Sequence, residues 1–163
     1  MWVAREYQGE GRHDAPDRYG ALYLAESPVS AIAEQLARFR GRRFRLEMLI
    51  RRRHRLALVR YVLDDRCELV DLDDPRVLVG TALRPSQVAT RARRVTQPIA
   101  TSLFTNRPSV CGLRWWSMLE ASWMNVTLFA QRAQSDLRAD EVVELTRDLP
   151  ALDEACRTLG LLP

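Results

Sequence analysis

Lysine is absent from this 163-residue chain: all 25 basic residues are arginine, set against 21 acidic ones for a formal charge of +4. Codon usage in a GC-rich genome explains that bias without any chemistry. Selection for a planar guanidinium that grips anions bidentately is the sharper alternative. The small positive excess suits an anionic ligand or an acidic partner and is too modest to demand either. Histidine is nearly absent too. His13 and His54 stand far apart with no carboxylate or cysteine set beside them, so no metal site is expected. The three cysteines, Cys67, Cys111 and Cys156, are odd in number and widely spaced, which excludes a disulfide framework and a CxxC metal motif. They read as reduced core residues. No apolar run is long enough to span a bilayer, and the opening "MWVAREYQGEG" interrupts the apolar core that a signal peptide needs, so a cytoplasmic protein without membrane attachment is expected. A glycine-rich phosphate loop and a GxSxG nucleophile elbow are both missing.

What is present reads as a single domain over 1–163, with apolar residues making up 47% of the chain. "WVAREY" reads as an opening strand, "EGRHDAPDRYG" as a loop, and "ALYLA" as a second strand. Ser27 before Pro28 starts a helix, because the serine oxygen can cap free N–H groups and proline is tolerated at the first helical position. That helix should run to about Arg40 and stop at Gly41. "RRFRLEMLI" alternates like a half-buried strand, and "HRLALVRYVL" and "CELVDL" are further strands. Residues 86 to 104 are expected to be helical in two pieces, with Pro98 breaking or kinking the run. "VCGLRWWS", "NVTLFA" and "VVELT" follow as strands, and "PALDEACRTLG" closes as a helix. The fold class is therefore α+β, with central mixed or antiparallel strands and flanking helices.

Local evidence leaves the candidate residues open. On a helical wheel Val29, Ile32, Leu36 and Phe39 share one side, and Glu34 falls opposite, next to Ser30 and Arg38. A solvated pair of Glu34 with Arg38, worth a few tenths of a kcal/mol, accounts for it. The run Arg51 to Arg55 has the charge to track phosphates, but a solvated turn between two strands accounts for it equally well, and no nucleic-acid reading head accompanies it. Trp115, Trp116 and Trp123 crowd Ser117, and core packing explains each tryptophan singly.

Taken in order, the pieces resemble the RES-domain family, named for its arginine, glutamate and serine. The resemblance rests on Arg5 in "VAREY", Arg12 in "GRHDAP", Tyr23 and Glu34 in "LYLAESPVSAIAE", and Ser117 with Asn125 in "GLRWWSMLEASWMNVTLF". It covers at least Arg5 to Phe129. Two departures stand out: the loop between Arg5 and Tyr23 is short, and His13 stands where the family usually has phenylalanine or tryptophan.

The resemblance implies a fold like that of the diphtheria-toxin-like ADP-ribosyltransferases. It also implies a bacterial toxin of a toxin–antitoxin pair that consumes NAD, by hydrolysis, by phosphorolysis or by ADP-ribosyl transfer to a protein. NAD is then substrate, and no metal is expected. Arg5 and Arg12 become clamps for the pyrophosphate or the adjoining ribose, Tyr23 a flat face for nicotinamide or ribose, and Glu34 the carboxylate at the ribose 2′-OH. Ser117 and Asn125 complete the substrate-binding set, with Glu34, Arg5 and Ser117 as the catalytic residues. The essential arginine is ranked in the order Arg5, Arg12, Arg18. An Xre-like antitoxin is the expected protein partner, direct nucleic-acid binding is not expected, and a homo-oligomer is compatible with the sequence. The rival class is a non-catalytic, arginine-rich nucleic-acid or protein-binding module.

Overall fold

A computed structural model describes residues 2–161, so the single-domain expectation over 1–163 reaches past the described residues at both ends. Two compact units emerge: Met1–Leu24 with Leu63–Arg138, and Ala25–Val62 with Ala139–Pro163. Along the chain run β1 (Ala21–Ala25), α1 (Pro28–Leu36), β2 (Ile50–Arg51), β3 (His54–Arg55), β4 (Ala57–Leu63), β5 (Leu69–Asp71), α2 (Pro75–Gly80), α3 (Pro85–Val88), α4 (Arg93–Asn106), β6 (Gly112–Trp116), β7 (Met124–Phe129), α5 (Ala130–Ala133), β8 (Leu137–Glu144) and α6 (Pro150–Thr158). The α+β class expected from the sequence is the observed one.

The first unit is built on a four-stranded sheet in the order β1-β7-β6-β5. It is mixed, because β5 and β6 run parallel while β6 and β7 run antiparallel. Side chains alternate between its faces. One face presents Ala21, Val70, Leu113, Trp115 and Phe129, and α4 lays Ala100 and Leu103 against them in one continuous core. The other carries Leu22, Leu24, Val126 and Leu128, which pack with Cys67, Cys111 and Ala133. Gly112 is required where the two central strands touch, since a Cβ there would collide with the Thr127 carbonyl. The last turn of α4 has carbonyls that no helical amide can reach. Arg132 satisfies one of them, donating to the Phe104 carbonyl at 2.7 Å, and also donates to the Arg107 and Val110 carbonyls just beyond the helix, both at 2.9 Å, with its guanidinium over the Phe104 ring.

In the second unit, α1 packs on α6. The buried residues Val29, Ile32, Ala33 and Leu36 of α1, and Leu152, Ala155 and Cys156 of α6, recur at helical spacing, so each helix buries one stripe. The start of α1 matches expectation, with the Ser27 side chain accepting from the Ser30 amide and Pro28 in the first turn. A 3-10 turn over Ala37–Phe39 follows, and Gly41 then takes a left-handed φ of 72°. Two-stranded pairs β2-β3 and β4-β8 accompany the helices.

Three local expectations fail. "WVAREY" forms no strand; Arg5–Tyr7 is a 3-10 turn closed by the Tyr7 and Gln8 amides on the Ala4 and Arg5 carbonyls. "RRFRLEMLI" is mostly a 3-10 turn over Leu46–Leu49, with only Ile50 and Arg51 as strand. Alternation makes a strand only where a neighbour exists to pair with, and β3 offers two residues. The helical break falls at Ala89–Ala92 rather than at Pro98, which sits inside α4. An interior proline costs a helix about 3 kcal/mol; burial of Thr96, Ala100 and Leu103 on the sheet offsets it.

Candidate active site

The loop between Gln8 and Tyr19 folds over the end of the sheet face that carries Trp115, Asn125 and Thr127. Asp14 organises it. One carboxylate oxygen accepts from the amides of Gly9 and Gly11, both at 2.7 Å, and the other accepts from the Tyr23 hydroxyl at 2.6 Å. The Tyr23 hydroxyl in turn accepts from the His13 amide at 2.8 Å. Gly11 admits no larger residue, because a Cβ would overlap the Tyr23 hydroxyl and the Asp14 carboxylate. From the other side α4 holds the loop: Gln97 donates to the carbonyls of Gly9 and Gly11, and the Thr96 hydroxyl donates to that of Arg12. Arg93 on the same helix forms an ion pair with Glu10.

Beneath this loop lies a buried polar chain. The His13 Nδ1 stands 2.9 Å from the Thr127 hydroxyl, which also accepts from the Trp115 indole N–H at 3.0 Å. His13 meets the Trp115 ring edge-on at 5.2 Å and lies nearly parallel to the Tyr23 ring at 6.4 Å. Burial, reinforced by the neighbouring Arg12 charge, pushes the His13 imidazole down to about 3, so it is neutral near pH 7. The same burial, with the Asp14 hydrogen bond and charge, pushes the Tyr23 hydroxyl far above its usual range, so it keeps its proton. Tyr23 nonetheless remains 38% exposed. It is therefore a ring pinned at its hydroxyl and partly exposed, so a flat ligand meeting it would not first have to order it.

The arginines differ in their surroundings. Arg12 lays its guanidinium 4.5 Å over the Trp115 ring and donates to the Val88 carbonyl at 2.7 Å. Arg5, exposed on its 3-10 turn, donates from Nε to the Pro16 carbonyl at 2.5 Å and thereby braces the returning arm of the loop. Arg18 is exposed on that arm. Asn125 is buried opposite Trp115 in the β6–β7 register. Ser117 is buried one residue past β6; its amide donates to the Trp123 carbonyl at 2.7 Å, and its hydroxyl oxygen accepts from the Leu119 amide at 3.0 Å.

The first unit thus brings Arg12, Tyr23, Asn125 and Ser117 onto one sheet and its covering loop. Glu34 belongs to the second unit, exposed on α1 and off its buried stripe, as the wheel indicated. Sequence reasoning missed Asp14, Thr127 and the part played by Trp115. An aspartate just after two closely spaced glycines was the available signal, since such a side chain commonly serves nearby loop amides.

A tyrosine held at its hydroxyl, a stacked arginine and a neutral buried histidine thus share one sheet face of an α+β unit. The chain belongs to the RES-domain family, whose model matches residues 2–148 and so runs through both units. No curated protein and no solved structure matches the chain. No helix among the described residues is long and apolar enough to cross a membrane.

Proposed function

We propose that this protein is an NAD-consuming toxin that cleaves the bond between nicotinamide and ribose, by hydrolysis or phosphorolysis, on a fold of the diphtheria-toxin-like ADP-ribosyltransferase kind. The observation that carries the reading is the pinned, half-open Tyr23 ring beside the Arg12–Trp115 stack, in a chain of RES-domain membership. Such a ring suits the flat nicotinamide, and guanidinium groups suit the pyrophosphate.

Cleavage at ribose C1′ moves the bonding pair onto the nicotinamide nitrogen and leaves positive charge on the sugar. A carboxylate at the 2′-OH favours that state, as in glycoside cleavage. Glu34 is assigned this role on the family resemblance. Arg5 and Arg12 bind the phosphates and adjoining ribose, and Ser117 and Asn125 contribute hydrogen bonds to the bound substrate. Water or phosphate then attacks C1′, giving ADP-ribose and a proton or the phosphorylated sugar. A cytoplasmic location and restraint by an Xre-like antitoxin complete the proposal.

The test is nicotinamide release by purified protein given NAD, with and without phosphate. Release by the wild type and its loss in Glu34→Ala are expected; inactivity under both conditions, or full activity of the variant, defeats the reading. Labelled NAD in a lysate distinguishes ADP-ribosyl transfer, which would leave label on a discrete protein band.

A further inference from the structure

All three cysteines are free and buried, as expected of core residues, and two of them stand together. Cys67 and Cys111, far apart in sequence and buried just ahead of β5 and β6, converge with Asp136, which precedes β8. The two sulfurs and a carboxylate oxygen all lie within 4.8 Å of one another. We propose that Cys67, Cys111 and Asp136 form a binding site for a thiophilic divalent cation, with zinc as the leading candidate.

The backbone holds all three donors in place. The Cys67 amide donates to the Asp64 carbonyl at 2.9 Å, and the Asp64 amide donates to the Asp136 carbonyl at 2.9 Å, so Asp64 bridges two of the ligands. Cys111 is fixed between strands, its amide on the Glu68 carbonyl and its carbonyl under the Phe129 amide, both at 2.8 Å. Two sulfurs bound to one tetrahedral zinc stand roughly 3.8 Å apart, given a bond of about 2.3 Å to each. Closing the cluster therefore needs side-chain adjustment on the order of 1 Å, with no strand displaced.

Donor chemistry selects the ion. Paired thiols favour zinc and other thiophilic metals over magnesium or calcium. A carboxylate set against two buried thiols contributes nothing to apolar packing, whereas it completes a three-donor set that leaves a fourth position for water. Asp136 is partly exposed, which gives the ion a route in, and Arg66 stands 3.8 Å from its carboxylate. On binding, each thiol releases its proton to solvent, and the two thiolates plus the carboxylate leave the divalent site with one net negative charge beside that guanidinium. The site would cross-link the starts of three strands. It does not depend on the NAD reading.

The experiment uses the whole chain, stripped with a chelator and kept reduced, then titrated with cobalt(II). Stoichiometric uptake with a sulfur-to-cobalt charge-transfer band, displaced by zinc, is expected. Cys67→Ser or Cys111→Ser should remove about half of that band, since each ligand set loses one of two thiolates. Asp136→Asn should keep the band while weakening uptake by roughly tenfold or more, comparable to losing a supporting partner of a metal ligand. Absence of a sulfur band in the wild type overturns the proposal. If the serine variants do not fold, Asp136→Asn decides it: cobalt affinity equal to that of the wild type also overturns the site.

Discussion

The two units bury different things. In the second, the buried set is aliphatic side chains, alanine and Cys156, with Ser30 as its polar member. The first buries His13, Asp14, Thr96, Ser117, Asn125 and Thr127 in or beside its apolar core. Burying a polar group without a partner costs about 1–3 kcal/mol. No buried side-chain nitrogen or oxygen among the described residues lacks one. The comparison teaches where precision was built in. In the second unit α1 and α6 meet through apolar stripes, whereas the first holds Tyr23 and Arg12 through specific hydrogen bonds.

The strongest way to break that contrast is at Glu34, the one proposed catalytic group outside the polar unit. Glu34→Gln should slow nicotinamide release at least about 100-fold, the scale set by loss of one group that stabilises transition-state charge. Its melting temperature should stay near that of the wild type, because the residue is exposed. A slow variant that also melts early would make Glu34 a structural residue instead.

Asp14→Ala comes next. It strands the Gly9 and Gly11 amides and the Tyr23 hydroxyl together, and should lower stability by about 2–3 kcal/mol while raising KM for NAD. Denaturant unfolding and NAD kinetics check the two parts. Asp14→Asn retains an acceptor and should recover much of the loss; wild-type stability and KM in Asp14→Ala would show that the carboxylate is dispensable.

His13 gives the first unit a pH signature. Its folded-state value, about 3, lies below the ordinary 6.5, so between those values the unfolded chain binds more protons than the folded one. Its contribution is therefore complete above pH 6.5 and falls as the solution is acidified toward 3. Stability measured across that window should decline less steeply in His13→Gln. Equal slopes would show that His13 titrates alike in both states.

The smallest expected effect lies in the β2–β3 hairpin of the second unit. Arg51 pairs with His54, leaving Arg52 and Arg53 as a two-residue turn in which both take positive φ, 51° and 68°. Such turns favour Asn-Gly. Replacing Arg52 and Arg53 by that pair should raise stability by about 1 kcal/mol, read from the denaturant midpoint, and leave NAD cleavage untouched. A fall in activity would give this arginine cluster a functional part.

Elements signalled by local chemistry were legible in the sequence. Ser27-Pro28 begins α1, and the apolar spacing of α6 with Gly160 beyond it marks the closing helix. "ALYLA" and "NVTLFA" are strands because their alternation meets neighbours in a sheet. The same alternation misled at "RRFRLEMLI", where almost no partner is available. Of the candidate site, Arg12, Tyr23, Asn125 and Ser117 were singled out through family order. The roles of Asp14 and Thr127 were not, because each acts through contacts made across the fold.

By itself, then, the sequence determined the α+β class, the starts of α1 and α6, the RES-domain order and the side chains available for chemistry, since these follow from caps, periodicity and residue type. Tertiary structure alone decided that His13 is neutral, that Tyr23 is pinned by Asp14, and that Cys67 and Cys111 meet beside Asp136. The physical reason is common to all three. Desolvation and hydrogen bonding depend on which distant groups are brought within a few ångströms, and local sequence pattern carries no measure of that distance.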